Sequence, residues 1–323
     1  MKAVVIESYG SSDVLQVMDI DIPRPSAHEV LIKVDKTSVN YADIKNRQGL
    51  KKKIEGPTIL GLEAAGTIAE VGSEVKKFKL GQRVVAFPEK GSYAQYTVAN
   101  EALTFAIPNE IDFTTAAASP IVSFLSYQLL KDIARMQLGE TVLIHAAAGG
   151  VGSTAIQMAK VFGAKTVIGT VSREEKFSTV LAAGADLAIT YEDFSSKVNE
   201  YTDGDGVNLI LDSVSGSVFE ESFACLALYG KIVHFGNTSN QTGRIPTTAL
   251  HSSCRSVLGF SFGTTRKKRP DTIKPVADEV FKLLVNGDVQ VKVGAEYSLY
   301  EVKKAHEMIE NRENTGKIVL TVS

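Results

Sequence analysis

The spacing of apolar positions changes near residue 114, and the change divides the chain. Up to about residue 110 they alternate or fall in short β-branched runs, as in Val30-Leu31-Ile32-Lys33-Val34 and Tyr93-Ala94-Gln95-Tyr96-Thr97-Val98. Gly61, Gly66, Gly72, Gly81 and Gly91 interrupt these runs, together with Pro23, Pro25, Pro57 and Pro88. Short strands between turn formers predict a compact, barrel-like β domain. Thr114-Thr115-Ala116-Ala117-Ala118 then starts a helical segment, and Pro120 begins another that runs to about Met136. Beyond it strand and helix patterns alternate. The strands fall at 141–145, 166–171, 186–190, 207–212, 230–235 and 255–260, with helices near 151–163, 173–183, 193–201 and 217–227. Alternation of this length predicts an α/β fold, a doubly wound parallel sheet with helices on both faces. Helical spacing returns over 271–286 and 300–311, and Lys317-Ile318-Val319-Leu320-Thr321-Val322 reads as a final strand. With no further βα unit there, the C-terminal segment belongs with the first domain. The expected limits are 1–120 with 263–323, and 121–262.

The strand at 141–145 leads into His145-Ala146-Ala147-Ala148-Gly149-Gly150-Val151-Gly152, and Ser153 to Phe162 continues at helical spacing. Strand, glycine turn and helix are the context of a dinucleotide fingerprint. Glycine lets the backbone turn tightly and lets a pyrophosphate come close, while the free N–H groups and the dipole of the helix start favour the anion. In the usual G-x-G-x-x-G spacing the glycine places fall on Ala147, Gly149 and Gly152, so the first glycine is replaced.

A free ribose 2′-hydroxyl is usually met by Asp or Glu at the end of the second strand, about twenty residues on. Here that place reads Thr170-Val171-Ser172-Arg173-Glu174-Glu175-Lys176. Ser172 stands where the acid would be, and Arg173 and Lys176 follow within one helical turn. A hydroxyl and two cations suit a 2′-phosphate, which a carboxylate would repel. The expected cofactor is therefore NADP(H).

Composition removes other classes. Of 323 residues, 44% are hydrophobic and 22% charged, ordinary globular material, and the net charge of −2 gives no field favouring nucleic acid or an anionic membrane. No apolar run is long enough to span a bilayer, and Met1 to Glu7 is too soon charged for a secretion signal, so a cytoplasmic protein is expected. Cys225 and Cys254 are the only cysteines and form neither a disulfide framework nor a thiolate zinc site. The histidines at 28, 145, 234, 251 and 306 show no paired ligand spacing, so no metal is expected. The basic run Thr264-Thr265-Arg266-Lys267-Lys268-Arg269-Pro270 is expected to be a solvated, exposed loop.

Six stretches carry a resemblance: Ser38-Val39-Asn40-Tyr41-Ala42-Asp43, Gly61-Leu62-Glu63-Ala64-Ala65-Gly66, Gly81-Gln82-Arg83-Val84, Ala146 to Gly152, Asp212-Ser213-Val214-Ser215-Gly216 and Phe235-Gly236-Asn237. Over essentially its whole length the chain resembles the zinc-independent quinone oxidoreductases, the zeta-crystallin-like branch of the medium-chain dehydrogenase/reductase superfamily. The resemblance implies a GroES-like catalytic domain made of both chain ends, a Rossmann domain between them, and a homodimer paired near 232–235 and 256–260. It implies that Ala148, Gly149, Gly150, Val151 and Gly152 hold the pyrophosphate and that Ser172, Arg173 and Lys176 hold the 2′-phosphate, with Tyr191 beside the adenine-side ribose or phosphate. Val214, Phe235, Gly236 and Asn237 would line the nicotinamide-side ribose, and Arg312 would reach the cofactor from the C-terminal segment. Asn40, Tyr41 and Asp43 would line the substrate cleft.

Zinc-dependent relatives carry a histidine where this chain has Leu62, and their catalytic cysteine and four-cysteine lobe are missing. Two further departures touch the cleft: Lys45 stands where relatives often have tyrosine, and Leu125 where a threonine commonly faces the nicotinamide. Without a Lewis acid the acceptor must take hydride readily by itself, as quinones and conjugated enones do. The expected activity is NADPH-dependent quinone reduction, with reduction of activated C=C bonds in 2-enals or enones as the alternative. Asn40 is the candidate amide donor to the developing oxyanion, Tyr41 and Lys45 are weaker proton donors, and Asp43 is expected to fix the local turn.

Overall fold

The computed structural model describes residues 1–51 and 56–322. Residues 1–121, 269–285 and 291 onward pack as one unit, and 122–268 with 286–290 as a second.

In the first unit the 11-residue strand Glu29–Val39 is central. Its buried positions lie mostly in runs because it pairs on both edges, with Ala64–Val71 on one side and with Tyr96–Asn100 and Lys317–Thr321, one after the other, on the other side, all antiparallel. Val293–Ser298 extends the sheet beyond Lys317–Thr321, and Arg83–Ala86 and Thr104–Ala106 extend it beyond Ala64–Val71. A small sheet of Gln16–Asp19, Lys2–Ile6 and Thr58–Ile59 closes over it, and Val4, Ile6, Val34, Leu60, Tyr93, Val302, Ile318 and Leu320 share one core. That core draws on both chain ends. The register Ile318↔Val39 sets Lys317 beside the point where Glu29–Val39 turns into helix Tyr41–Arg47.

The second unit is a six-stranded parallel sheet. Its strands lie side by side as Leu187–Thr190, Thr166–Val171, Thr141–Ile144, Val207–Asp212, Leu226–His234 and Ser256–Gly259, which in chain order is 3-2-1-4-5-6. Helices Gly150–Val161, Phe177–Ala182, Phe194–Tyr201 and Gly216–Ser222 fill the crossovers. The inner strands are nearly continuous apolar runs because both faces are covered. Buried His145 ties three elements at the sheet's carboxyl edge: its Nδ1 meets Thr170 Oγ1 at 2.7 Å and its Nε2 meets Ser222 Oγ at 2.9 Å. Ser222 gives its own proton to the Val218 carbonyl, so Nε2 carries the hydrogen, and burial pulls the His145 pKa down to about 4.

Two segments differ from expectation. The basic run is not a loop: Phe262–Lys268 is helical. Ser261 Oγ accepts the Thr264 N–H at 3.2 Å, Arg266, Lys267 and Lys268 occupy the last turn where cations meet the helix dipole, and Pro270 opens a new turn. Lys267 and Lys268 remain exposed. The helical stretch after Pro120 is present but widened to π turns over Pro120–Phe124 and Gln128–Ile133, where the Ala134 N–H reaches back to the Leu129 carbonyl at 2.9 Å.

A directional chain of hydrogen bonds anchors helix Tyr41–Arg47. Arg47 is fully buried and only donates: its Nε to the Gly10 carbonyl at 3.2 Å, one Nη to Glu310, the other to His306 Nδ1 at 3.2 Å. Burial and the neighbouring Arg47 guanidinium lower the His306 pKa to about 3, so its single hydrogen sits on Nε2 and points at Tyr93 Oη, 3.3 Å away. Tyr93 donates in turn to Asp43 Oδ2 at 3.3 Å, which also accepts the Asn40 N–H at 2.9 Å. Asp43 Oδ1 has no hydrogen-bond partner, and burial raises the Asp43 pKa to about 6 against the bond from Asn40.

A raised carboxyl pKa means the folded chain holds that proton more tightly than the unfolded one. The stabilisation is present below about pH 4, the ordinary range, and is lost as pH rises through about 6. Asp43→Asn removes this titration, so its stability relative to the parent should rise by up to about 3 kcal/mol between those limits. Urea unfolding of both proteins from pH 4 to 7 measures the difference, and parallel curves would refute the assignment.

Candidate functional site

Four loops leave the carboxyl ends of the parallel strands on one edge of the second unit, the edge where doubly wound sheets take ligands. The first is the glycine turn. Ala146 has a left-handed backbone (φ 53°), its N–H donates to Tyr191 Oη at 2.8 Å, and the Ala147 N–H donates to the Thr170 carbonyl at 3.0 Å. Helix Gly150–Val161 then begins with Gly149 as its cap and no side chain on its first N–H groups. These donors and the dipole make an anion seat. A Cβ on Gly152 would lie 2.5 Å from the Ala146 carbonyl oxygen, so only glycine lets the helix approach the turn this closely. Ala147, in place of the first fingerprint glycine, is fully buried, and its methyl group occupies room left by the next strand: a Cβ on Gly169 would come within 2.7 Å of it.

The second loop begins with Ser172 and Arg173, both exposed, and Lys176 follows half-buried in the turn Glu174–Lys176. No carboxylate occupies the strand end itself. Tyr191 follows strand Leu187–Thr190, and its hydroxyl is tied to the glycine turn, so the structure gathers Ala148 to Gly152 and Tyr191 together.

The third and fourth loops are joined to each other. The Thr238 and Ser239 N–H groups donate to the Ser213 and Val214 carbonyls, each at 3.0 Å, and Gly236 passes so near Ser213 that a Cβ would sit 3.2 Å from it. Val214, Phe235, Gly236 and Asn237 thus form one half-buried patch. Asp212 organises it: Oδ1 accepts the Val214 and Ser215 N–H groups at 2.8 and 3.0 Å, and Oδ2 accepts His234 Nδ1 at 2.7 Å. The His234 bond holds the Asp212 carboxyl below its ordinary pKa despite burial. His234 lies outside the candidates read from the sequence.

In the first unit Asn40 caps helix Tyr41–Arg47 and is 8% exposed. Its Nδ2 donates to Glu63 Oε1 at 2.8 Å, and its Oδ1 accepts from Lys317 Nζ at 2.7 Å. Glu63 is fully buried; Oε1 also takes Ser38 Oγ and, at 2.9 Å, Lys317 Nζ, while Oε2 takes the Ile121 N–H at 2.6 Å. Asp43 lies behind Asn40, wholly buried. Tyr41 is exposed, with the Lys45 ammonium 5.5 Å from its ring centroid; partial burial and the nearby Lys51 charge lower the Lys45 pKa. Arg312 is exposed in a left-handed turn after helix Val302–Glu310.

The sequence reading assigned no role to Glu63, and it treated Lys317 only as a strand residue. The signal for Lys317 was available: a lysine heading an otherwise apolar, buried strand needs a buried partner. Among the described residues no three His, Cys, Asp or Glu side chains cluster as a metal site, and no helix is long and apolar enough to cross a membrane.

Residues 26–109 match the alcohol dehydrogenase GroES-like domain, and residues 150–282 match the zinc-binding dehydrogenase domain. The chain is 35% identical to the quinone oxidoreductase of Pseudomonas aeruginosa, covering 99% of both chains. It is 33% identical to a probable quinone oxidoreductase of Schizosaccharomyces pombe, covering 98% of this chain and 96% of that one. The crystal structure of Escherichia coli quinone oxidoreductase complexed with NADPH superimposes with a TM-score of 0.92 at 31% identity, covering 100% of both chains. The strand order, the glycine turn and these full-length similarities agree: the chain belongs to the quinone oxidoreductases of the medium-chain dehydrogenase/reductase superfamily.

Proposed function

We propose that this protein is an NADPH-dependent quinone reductase. The observation that carries the reading is the second unit's edge: a helix start with open N–H groups at a turn that only glycine fits, then a strand end where Ser172 stands in the place of the acid, followed by Arg173 and Lys176. These residues fit NADP(H). Gly149 to Gly152 would hold the pyrophosphate, and Ser172, Arg173 and Lys176 the 2′-phosphate, with Tyr191, Val214, Phe235, Gly236, Asn237 and Arg312 as further contacts. The bound cofactor supplies the hydride.

In the first unit Asn40 offers an amide hydrogen to the oxygen that gains charge, and Asp43, buried behind it, acts by holding the Asn40 backbone. Tyr41 and Lys45 stand nearest solvent as proton donors. Leu62 replaces the histidine of zinc-dependent relatives, and an aliphatic side chain ligates no metal, so we assign a zinc-independent reaction. A saturated ketone needs strong polarisation before it takes hydride, whereas a quinone gains aromaticity on reduction and needs mainly positioning and a modest donor.

We further propose a homodimer. Strand Ser256–Gly259 is the last of its sheet, with Val257 37% exposed, and pairing with a second copy would cover this edge.

Each proposal has its measurement. A charge-assisted bond to phosphate contributes about 1.5–3 kcal/mol, so Arg173→Ala or Lys176→Ala should raise KM for NADPH roughly tenfold or more and spare NADH. Equal losses with both cofactors would discard the assignment. In a steady-state screen quinones should turn over and simple alcohols and ketones should not, and Asn40→Ala should lower kcat without weakening NADPH binding. Turnover of enals and not quinones would select the C=C reductase instead, and brisk alcohol oxidation would sink both. Light scattering should give twice the 34.7 kDa chain mass, and a single-chain mass across micromolar concentrations would exclude the dimer.

A further inference from the structure

We propose that Lys317 is a positioning residue that fixes which way the Asn40 carboxamide faces and so makes Asn40 a hydrogen-bond donor. This rests on the reading of Asn40 as the group that meets the acceptor oxygen.

The two ends of a carboxamide are nearly the same in shape and opposite in hydrogen bonding. Packing alone cannot choose between them, and charge can. Lys317 is 3% exposed, and its ammonium carries only donors. It donates to Asn40 Oδ1 at 2.7 Å, to Glu63 Oε1 at 2.9 Å and to the Val39 carbonyl at 3.4 Å. Glu63 carries only acceptors when ionised and takes one Asn40 Nδ2 hydrogen at 2.8 Å. Turning the amide over would set NH2 against an ammonium and C=O against a carboxylate, so both neighbours reject the flipped form. One Nδ2 hydrogen remains outside this network, and it is a donor by construction.

The pair's cost supports a role beyond stability. Two buried charges lose hydration, and apolar residues of similar volume often serve a core as well or better. Here the charges sit where an otherwise ambiguous side chain needs a direction. The strand register Ile318↔Val39 brings the lysine to Asn40 across 277 residues of sequence, so the pairing of the chain's last strand sets the state of a residue near its start.

The test separates orientation from stability. Lys317→Met alone leaves Glu63 unpaired in the interior and can fail to fold, so the deciding variant is Glu63→Gln/Lys317→Met, which removes both charges of this pair and lets the amide face either way. With para-benzoquinone as acceptor we expect kcat to fall about tenfold, with the NADPH dissociation constant and melting temperature near those of the parent. Lys317→Arg keeps an obligate donor against Oδ1 and should hold kcat within about threefold of the parent. Parental kcat in the double variant, or a tenfold loss in a stably folded Lys317→Arg, overturns the orienting role. If Asn40→Ala lowers kcat in the same assay while the double variant does not, the donor reading stands and this inference alone fails. If Asn40→Ala leaves kcat unchanged, the donor reading fails and takes this inference with it.

Discussion

A carboxylate with no exposed surface must find its compensation inside the fold, and Glu63 does so through Lys317. Much of the first unit can be read as the means of bringing them together. Lys317 heads the last strand, and Glu63 precedes a strand early in the chain. Both strands pair with opposite edges of Glu29–Val39, so three separate segments must be in register before the charges meet. Removing either partner strands a buried ion, the costly half of such an arrangement. The polar groups gathered around the pair, Ser38, Asn40 and the Ile121 N–H, are thereby held at fixed positions.

The second unit leaves backbone N–H groups open at the start of helix Gly150–Val161. It does so by withholding side chains. Gly152 admits the helix to the turn, and Gly169 on the neighbouring strand makes room for the methyl of Ala147. The replaced fingerprint glycine is therefore a redistribution of space between two strands, and the uncapped helix start survives it. Asp212 does the equivalent work at the joined loops, using both carboxyl oxygens to hold a turn in which Ser215 has φ 71°.

The inner parallel strands Thr141–Ile144, Thr166–Val171 and Val207–Asp212 were legible in the sequence to within a residue, because strands covered on both faces are apolar nearly throughout. The helix at Phe262–Lys268 was hidden because charge dominated its composition, while its start depended on one serine hydroxyl and its end on one proline. The π turns after Pro120 could not be read, since the periodicity of a widened turn is lost in a run that is buried on most sides.

The sequence by itself determined the alternation of β and α, the glycine turn, Ser172 with its neighbouring cations at the end of the second parallel strand, and an aliphatic side chain at Leu62. Each is a property of residues close together along the chain, where local backbone preference and side-chain chemistry suffice. Only the tertiary structure decided that Lys317 faces Asn40 and Glu63, that Gly169 accommodates Ala147, and that Arg47, His306 and Tyr93 line up their hydrogens toward Asp43. Those contacts join residues far apart in sequence, and their partners are chosen by strand register and by the rule that buried donors and acceptors must be matched.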